Sequence, residues 1–402
     1  MRTKKAFFFI TPQKFFLYNM SLNKKTSFGS LSKAFTNRNI PVLIINPKLP
    51  YIFQAGLGCQ QKRFRGSEFN NSPGYIFTGY KKKTNQFLFD NNLPVAKSFF
   101  VKTPDNLEKI INKIGFPCVI KPANTSSGGK GVTVNVKNLA KAKQAFAEAM
   151  SCLPGIKGVM VEEMITGADH RILVFKNRVI GALKRTPAHI KADGKNSIAD
   201  IVDAENKKRA EKKGAYLKPI KTDDLSLKVL ESQGYNLSDI PPAGKTIWLR
   251  SNANISTGGE TTNVTALVNK DTAAICCLVT RILGMEIAGI DIITTDINKP
   301  LSETGGKIIE VNNHPGLDGH IKPVHGDPIN VAKIISENFF PNPIRSWIPI
   351  ISQKEKIAKI ELLNKSLNLS PKKVYQYKKV ITKPCYNLRT YLLDPLTTAI
   401  EL

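Results

Sequence analysis

A chain of 402 residues, 42% apolar and 22% charged, has the composition of a globular protein with room for more than one domain. It excludes an intrinsically disordered polymer and a small disulfide-stapled scaffold. A formal charge of +28, with no Asp or Glu before Glu68, favours anionic partners such as ATP, acidic substrates, nucleic acid or a membrane surface. The charge does not choose among them, and a lysine-rich proteome would produce the same excess.

The six cysteines (Cys59, Cys118, Cys152, Cys276, Cys277, Cys385) show neither a CxxC pair nor zinc-type spacing, which fits reduced thiols in a cytoplasmic protein. No run approaches the roughly 18 apolar residues of a membrane helix, so no membrane association is expected. The first 17 residues imitate a signal peptide, but Gln13 and Lys14 interrupt the apolar stretch. An organelle transit peptide is the other targeting reading of this acid-free start.

In chain order, residues 1–40 read as a basic, disordered leader, followed by a short strand in PVLIINP from Pro41. Residues 51–80 are glycine-rich and basic, without a period. Leu107, Ile110, Ile111 and Ile114 repeat at helical spacing, with Gly115 as the stop. FPCVIKP reads as a strand, NTSSGGKGVTV as a glycine-rich turn into another, Leu139–Met150 as an amphipathic helix and GVMVEEM as a strand. RILVF and RVIGALKR flank Lys176-Asn177 as a hairpin. A polar stretch with one short helix follows, then a helix from Asp271, taken as its cap, to Leu283. Strands EIAGIDIIT and KIIEVNN and a helix over about 328–338 complete the pattern. This alternation predicts an α+β or α/β fold.

Charges placed inside apolar strands carry the chemistry. In KIIEVNN a strand period of two puts Ile309 and Val311 on one face, Glu310 and Asn312 on the other. Asp291 interrupts the apolar strand AGIDIIT in the same way. A carboxylate so placed is costly unless compensated; magnesium bound by Asp, Glu and Asn oxygens would compensate it, and so would arginine or water. TSSGGKGV opens directly from the strand ending at Lys121-Pro122, and its small residues would let backbone N–H groups approach phosphate. It is not a Walker A loop, because glycine follows Lys130. Lys81, Lys121, Arg171, Arg185 and Arg250 lie in or beside strands, where a buried charge requires a partner. His189 in TPAHI reads either as a substrate ligand or as an ordinary loop histidine.

The order of these pieces resembles the ATP-grasp superfamily, and within it the ATP-grasp portion of cyanophycin synthetases. VIKPANTSSGGKGV, VEEMITGADHRILVF, RTPAHIKADGKNSIADIVDAEN, LRSNANISTGGETTNVT, AGIDIITTDINKP and GGKIIEVNNHPGL carry the resemblance. The ATP-grasp half of bifunctional glutathione synthetases is similar through many of the same motifs. The resemblance implies two α+β subdomains gripping ATP, and an ATP- and magnesium-dependent ligase joining a carboxylate to an amine through an acyl phosphate.

It also implies roles by position. Lys81 and Lys121 would contact ATP phosphates, and Ser126, Ser127, Gly128, Gly129, Lys130 and Gly131 would form the loop over them. Glu162, Glu163 and Met164 would meet adenine, with Asp169 nearby. Arg171, Arg185, His189, Arg250 and Asn254 would face the intermediate or the substrates. Asp291, Glu310 and Asn312 would hold magnesium, two ions by family analogy, with manganese as a substitute.

The implied organisation is a leader over 1–40, a partial pre-ATP-grasp segment over 41–80, the ATP-grasp domain over 81–341 with its lid at about 116–185, and a basic tail over 342–402. There are departures from the family pattern. Tyr80-Lys81 replaces its Asp-Lys, Asn85 replaces a second lysine, and no Mur-ligase-like domain with its own P-loop follows, so both cyanophycin reactions are not expected of this chain alone. Amino acids or short peptides are the expected substrates, and a homo-oligomer stays open. A non-catalytic ATP-binding scaffold is the rival reading. Nucleic-acid binding is disfavoured, since no basic motif is interleaved with aromatics.

Overall fold

The computed structural model describes residues 27–341, apart from residues 39, 41, 45–50, 57–61, 68, 71–73, 75–77, 79–80, 124–130, 153 and 213–214. In chain order the helices are α1 (Ser27–Asn37), α2 (Lys81–Asp90), α3 (Leu107–Ile114), α4 (Leu139–Ser151), α5 (Ile198–Glu211), α6 (Asp224–Glu231), α7 (Lys270–Ile282), α8 (Leu301–Thr304), α9 (Asp318–Ile321) and α10 (Val331–Phe339). The strands are β1 (Val42–Ile44), β2 (Ile52–Ala55), β3 (Lys62–Arg65), β4 (Ser98–Val101), β5 (Cys118–Pro122), β6 (Thr133–Val136) and β7 (Val159–Glu163). They continue with β8 (Ala168–Phe175), β9 (Arg178–Thr186), β10 (His189–Lys191), β11 (Thr246–Trp248), β12 (Glu260–Asn263), β13 (Ile287–Thr294) and β14 (Lys307–Asn312). The chain divides into two compact units, residues 1–67 with 332–402, and residues 68–331.

The first unit contains an antiparallel β1-β2-β3 sheet, α1 and most of α10. The Phe35 ring lies 5.2 Å from Phe64 and 5.6 Å from Phe340, and Arg38 Nη2 donates to the Phe340 carbonyl at 2.6 Å. Helix α1 corrects the expectation of disorder through residue 40. Leu31, Ala34 and Phe35 sit at i, i+3 and i+4 and are buried, so a short apolar stripe was present within the basic composition. The rest of the leader, residues 1–26, and the tail from 342 lie outside the described residues.

The second unit holds two larger sheets and a two-stranded ribbon, whose paired strands all run antiparallel, which makes the class α+β rather than α/β. The four-stranded sheet, ordered β4-β7-β5-β6, packs Ile120, Val136, Val159 and Val161 against Leu107 and Ile111 of α3 and Ala142, Ala145 and Phe146 of α4. The five-stranded sheet is ordered β12-β9-β8-β13-β14. One face of it packs Ile172, Val174, Ala182, Ile290 and Ile292 against Cys276 and Val279 of α7. The lid bounds of 116–185 need revision on this topology. The smaller sheet begins at Ser98 and ends at Glu163, whereas β8 and β9 belong to the larger one.

Local chemistry explains the joints. Gly115 closes α3 with φ +85°, as its position predicted. Lys176 and Asn177 both take left-handed conformations, φ 46° and 59°, in the β8–β9 hairpin. Asn269, not Asp271, caps α7: its Oδ1 accepts from the Asp271 amide at 2.9 Å. Between β9 and β12, α5, α6 and the β10–β11 ribbon form a small subdomain with its own core, including Ile190, Val202, Leu230 and Ile247.

Candidate active site

The five-stranded sheet separates its two faces by strand alternation. Ile290 and Ile292 point into the core; Asp291, between them, points to the opposite face. Residues directly across a ladder share a face, and Asp291 pairs with Arg171 on β8 and with Glu310 on β14. Asp169 pairs with Arg185 on β9, and Asn312 with Gly289. Asp169, Arg171, Arg185, Asp291, Glu310 and Asn312 therefore lie on one side of one sheet.

A β-bulge between Asp291 and Ile292 modifies the expected pattern on β14. Asp291 faces Glu310, Ile292 faces Ile308, and Ile309 is the extra residue. Ile308 and Val311 are the core positions, not Ile309 and Val311, while Glu310 and Asn312 keep the polar face.

Electrostatics tie this face together. Arg171 grips Asp291 with both Nε and Nη2, the latter at 2.9 Å, and Arg185 Nη2 reaches Asp291 Oδ2 at 2.9 Å. Arg185 also holds Asp169, through Nε at 2.8 Å and Nη2 at 2.6 Å. Burial works to raise the Asp291 pKa, but the two guanidiniums overcome it and hold the carboxyl below its ordinary value. Asp169 goes the other way: burial, helped by the negative charge of Asp291, raises it to about 6 against the pull of the arginines. Burial lowers the Arg185 pKa, but the two aspartates more than offset it. Gly289 leaves the space Arg171 needs, since a Cβ there would lie 2.9 Å from Arg171 Cδ.

Lys121 approaches from the smaller sheet. Its ammonium pairs with Glu162 Oε2 at 2.6 Å. Burial would lower its pKa, but Glu162, with Glu310 and Asp291 as additional negative charges, leaves it raised. Lys121 therefore experiences the field of both sheets' acids. Glu162 is held in this pair, and Glu163 Oε1 accepts from the Lys97 amide at 2.7 Å. The hinge offers Met164, half-buried just past β7, and backbone groups.

Two expected substrate residues lie on or just beyond the β10–β11 ribbon. Arg250 is buried, bonded through Nη1 to the Ser226 hydroxyl and through Nη2 to Asp223 at 2.8 Å. Asp223 caps α6, so Arg250 anchors that helix, while its buried Nε has no hydrogen-bond partner among the described residues. His189 Nδ1 donates to the Pro187 carbonyl at 2.9 Å, and the ring lies 5.2 Å from the Trp248 ring on the β10–β11 ribbon. Asn254 precedes a 3₁₀ turn, and its carbonyl receives the Thr257 and Gly259 amides while its side chain makes no cap bond. Ser126, Ser127, Gly128, Gly129 and Lys130 lie outside the described residues, as does the side chain of Lys81 at the start of α2. Gly131 is described, with φ +69° and no room for a Cβ against Cys152 Sγ.

Two further groups escaped the sequence reading. Arg209 on α5 is buried and uses its whole fork: Nε to Glu205 at 2.9 Å, Nη1 to the carbonyls of Gly258 at 2.7 Å and Lys218 at 3.2 Å, Nη2 to Glu260 at 2.6 Å. The available signal was an arginine four residues beyond Glu205, on the stripe begun by Ile198 and Val202. His320 on α9 lies against Gly181 of β9; burial first, and Arg171 second, lower it to about 3, so it is neutral.

The donor chemistry of the polar face fits a hard cation. Glu310 and Asn312 supply a carboxylate and an amide oxygen one residue apart in register with Asp291 and Gly289. Asp291 fits less simply, because both its oxygens already accept from guanidiniums.

A polar sheet face opposed by a lysine of a smaller, helix-backed sheet is the arrangement of a nucleotide-gripping fold, and residues 86–206 match the ATP-grasp domain family. The fold is ATP-grasp, in two α+β subdomains. The chain is similar to cyanophycin synthetase of Trichormus variabilis, 32% identical over 80% of this chain and 36% of that protein. It is also similar to the glutathione biosynthesis bifunctional protein of Clostridium perfringens, 29% identical over 65% of this chain and 34% of that one. A crystal structure of a bifunctional glutathione synthetase from Pasteurella multocida matches with a TM-score of 0.58 at 22% identity, covering 78% of this chain and 44% of that one. The chain thus spans about a third of the length of the curated relatives it matches. Among the described residues, no helix is long and apolar enough to cross a membrane.

Proposed function

We propose that residues 68–331 form an ATP- and magnesium-dependent ligase that joins the carboxylate of an amino acid or short peptide to an amine, in the manner of the ATP-grasp portion of cyanophycin synthetase. The observation that carries this reading is the gathering of Asp169, Arg171, Arg185, Asp291, Glu310 and Asn312 on one sheet face, with Lys121 in its field. The γ-phosphoryl group of ATP passes to the substrate carboxylate, and the amine then displaces phosphate from the acyl phosphate.

In this reading the side chains position and neutralise rather than form a covalent bond. Arg171 and Arg185 present N–H donors to the developing phosphate charge, and Lys121 holds a phosphate oxygen, with Glu162 keeping its ammonium in place. Glu310, Asn312 and Asp291 would hold magnesium, which would neutralise phosphate charge. Excluding water from the site would protect the acyl phosphate from hydrolysis. Asn254 contacts substrate from the turn that carries it. The relatives are named for cyanophycin and glutathione synthesis; amino acid-like carboxylates and amines are the substrate class common to both.

The test is phosphate release from ATP and magnesium by the purified protein with amino acids, dipeptides and an aspartate–arginine primer. Release that requires one carboxylate–amine pair supports the ligase and identifies its substrates. Tight ATP binding with no release in any mixture favours a non-catalytic scaffold instead.

A further inference from the structure

Asp291 has one carboxylate and two sets of claimants. On its β8 side it is held by Arg171, through Nε and Nη2, with Arg185 Nη2 joining at Oδ2. On its β14 side, directly across the ladder, stands Glu310. Both cross-strand neighbours are about 5 Å away at the backbone, so a side-chain rotation is enough to move the carboxylate from one to the other. The two arrangements compete, because the guanidiniums already take three of the roughly four acceptor sites of the carboxylate. A divalent cation on Asp291 as it now stands would meet two guanidiniums on the same oxygens.

The geometry points to an exchange: Asp291 occupies the Arg171–Arg185 fork until a cation binds, then turns to Glu310 and Asn312 and releases the fork to an anion. This rests on the ligase reading of the site and adds a linkage to it. In the arginine-held arrangement Asp291 mimics the anion that the fork would otherwise take. Removing it costs Arg171 its carboxylate, while Arg185 keeps Asp169. Arg171 is thus the more strongly emptied of the two, and a phosphate or carboxylate would refill it. Cation and anion binding are then positively coupled, each raising the other's affinity by the same factor, as linkage requires. Gly289 serves the same device, because the space beside it lets the Arg171 side chain lie across the strand to Asp291.

The experiment measures Mn2+ binding to the nucleotide-free protein by electron paramagnetic resonance, with and without inorganic phosphate, free Mn2+ being corrected for phosphate. Wild type is expected to bind Mn2+ weakly alone and about 5- to 150-fold more tightly with phosphate, the usual span of such couplings. Arg171→Met is expected to bind Mn2+ more tightly than wild type without phosphate and to lose the coupling. Arg171→Lys, which keeps the charge but not the fork, is expected to fall between them and covers the case in which the methionine variant does not fold. Mn2+ affinity unchanged or weakened in both Arg171 variants, with Glu310→Gln abolishing binding, overturns the exchange and leaves the ligase reading intact. If Mn2+ fails to bind in wild type even with a non-hydrolysable ATP analogue, the ligase reading itself fails, and the exchange with it.

Discussion

Replacing Arg209 by methionine tests whether one buried arginine secures the small α5–α6 subdomain to the active-site sheet. Its guanidinium makes four contacts of 3.2 Å or less, two of them to the carboxylates of Glu205 and Glu260. The arginine side chain is 2% exposed, Glu260 is 17% exposed and Glu205 33%. Removing one partner of a buried ion pair costs about 3–5 kcal/mol, because the other charge is left uncompensated. Here water reaches Glu205 and partly reaches Glu260, so the lower end, about 3 kcal/mol, applies. For a unit of roughly 250 residues that corresponds to a melting temperature lower by about 6–12 °C. Arg209→Lys retains the charge but cannot span four acceptors, and should lose less. Thermal melting by circular dichroism, with hydrogen exchange at the α5 amides, measures both. A methionine variant that melts within about 2 °C of wild type would show that the fork contributes nothing net, and the reasoning would be wrong.

Four shorter predictions follow from the same geometry. Glu310→Ala should lower phosphate release by about 10²–10³-fold, the scale of losing one electrostatic contact to a transition state; turnover kept at wild-type level would remove the metal role. Gly167→Ala should cost about 3–5 kcal/mol in urea melts, since φ is +138° and the new Cβ would meet the Thr294 carbonyl carbon at 2.2 Å. Gly289→Ala should displace Arg171 from Asp291, weakening phosphate binding and lowering the melting temperature as a buried carboxylate loses one of its two guanidiniums; unchanged phosphate affinity would count against it. Acidification from pH 7 to 5 should destabilise the fold. Burial first lowers His170 to about 4 and His320 to about 3, so the unfolded chain takes up protons below about 6.5 that the folded one refuses. Their stabilisation is complete above that pH and is lost as pH falls. Asp169, raised to about 6, opposes this by binding its proton in the folded state first, leaving a net loss on the order of 2 kcal/mol in urea melts. His170→Phe should remove a large part of the loss.

Much of this site was legible because it breaks local rules. Glu310 and Asp291 were conspicuous as carboxylates in apolar strands, and the register places them opposite each other. The Lys176-Asn177 hairpin and the Gly115 stop follow from turn and cap chemistry that needs no tertiary information. Strand direction was not legible in the same way: helices between strands suggested parallel ladders as readily as antiparallel ones. The lid boundary failed for a related reason. β7 and β8 are four residues apart in the chain but belong to different sheets, and no composition change marks the crossing between Glu163 and Ala168.

Arg171, Arg185, Arg209 and Arg250 show where pattern reading stops. All four are arginines in or beside regular elements, and sequence spacing gives no reason to separate them. The fold divides them by what each fork meets. Arg209 is matched by Glu205, Glu260 and two carbonyls, and Arg250 by Ser226 and Asp223 on helix α6. Arg209 is spent within the fold that holds it, and of Arg250 only the buried Nε is left without a hydrogen-bond partner among the described residues. Arg171 and Arg185 instead share Asp291, and Arg185 shares Asp169 as well, on a face that also carries Glu310 and Asn312. Two guanidiniums competing for one buried carboxylate, with a third acid across the ladder, form an arrangement that ligands can redistribute. A structural arginine needs its partners fixed, and a working one needs partners it can give up. That difference is a property of the assembled sheet, so it appears only once the strands are in register.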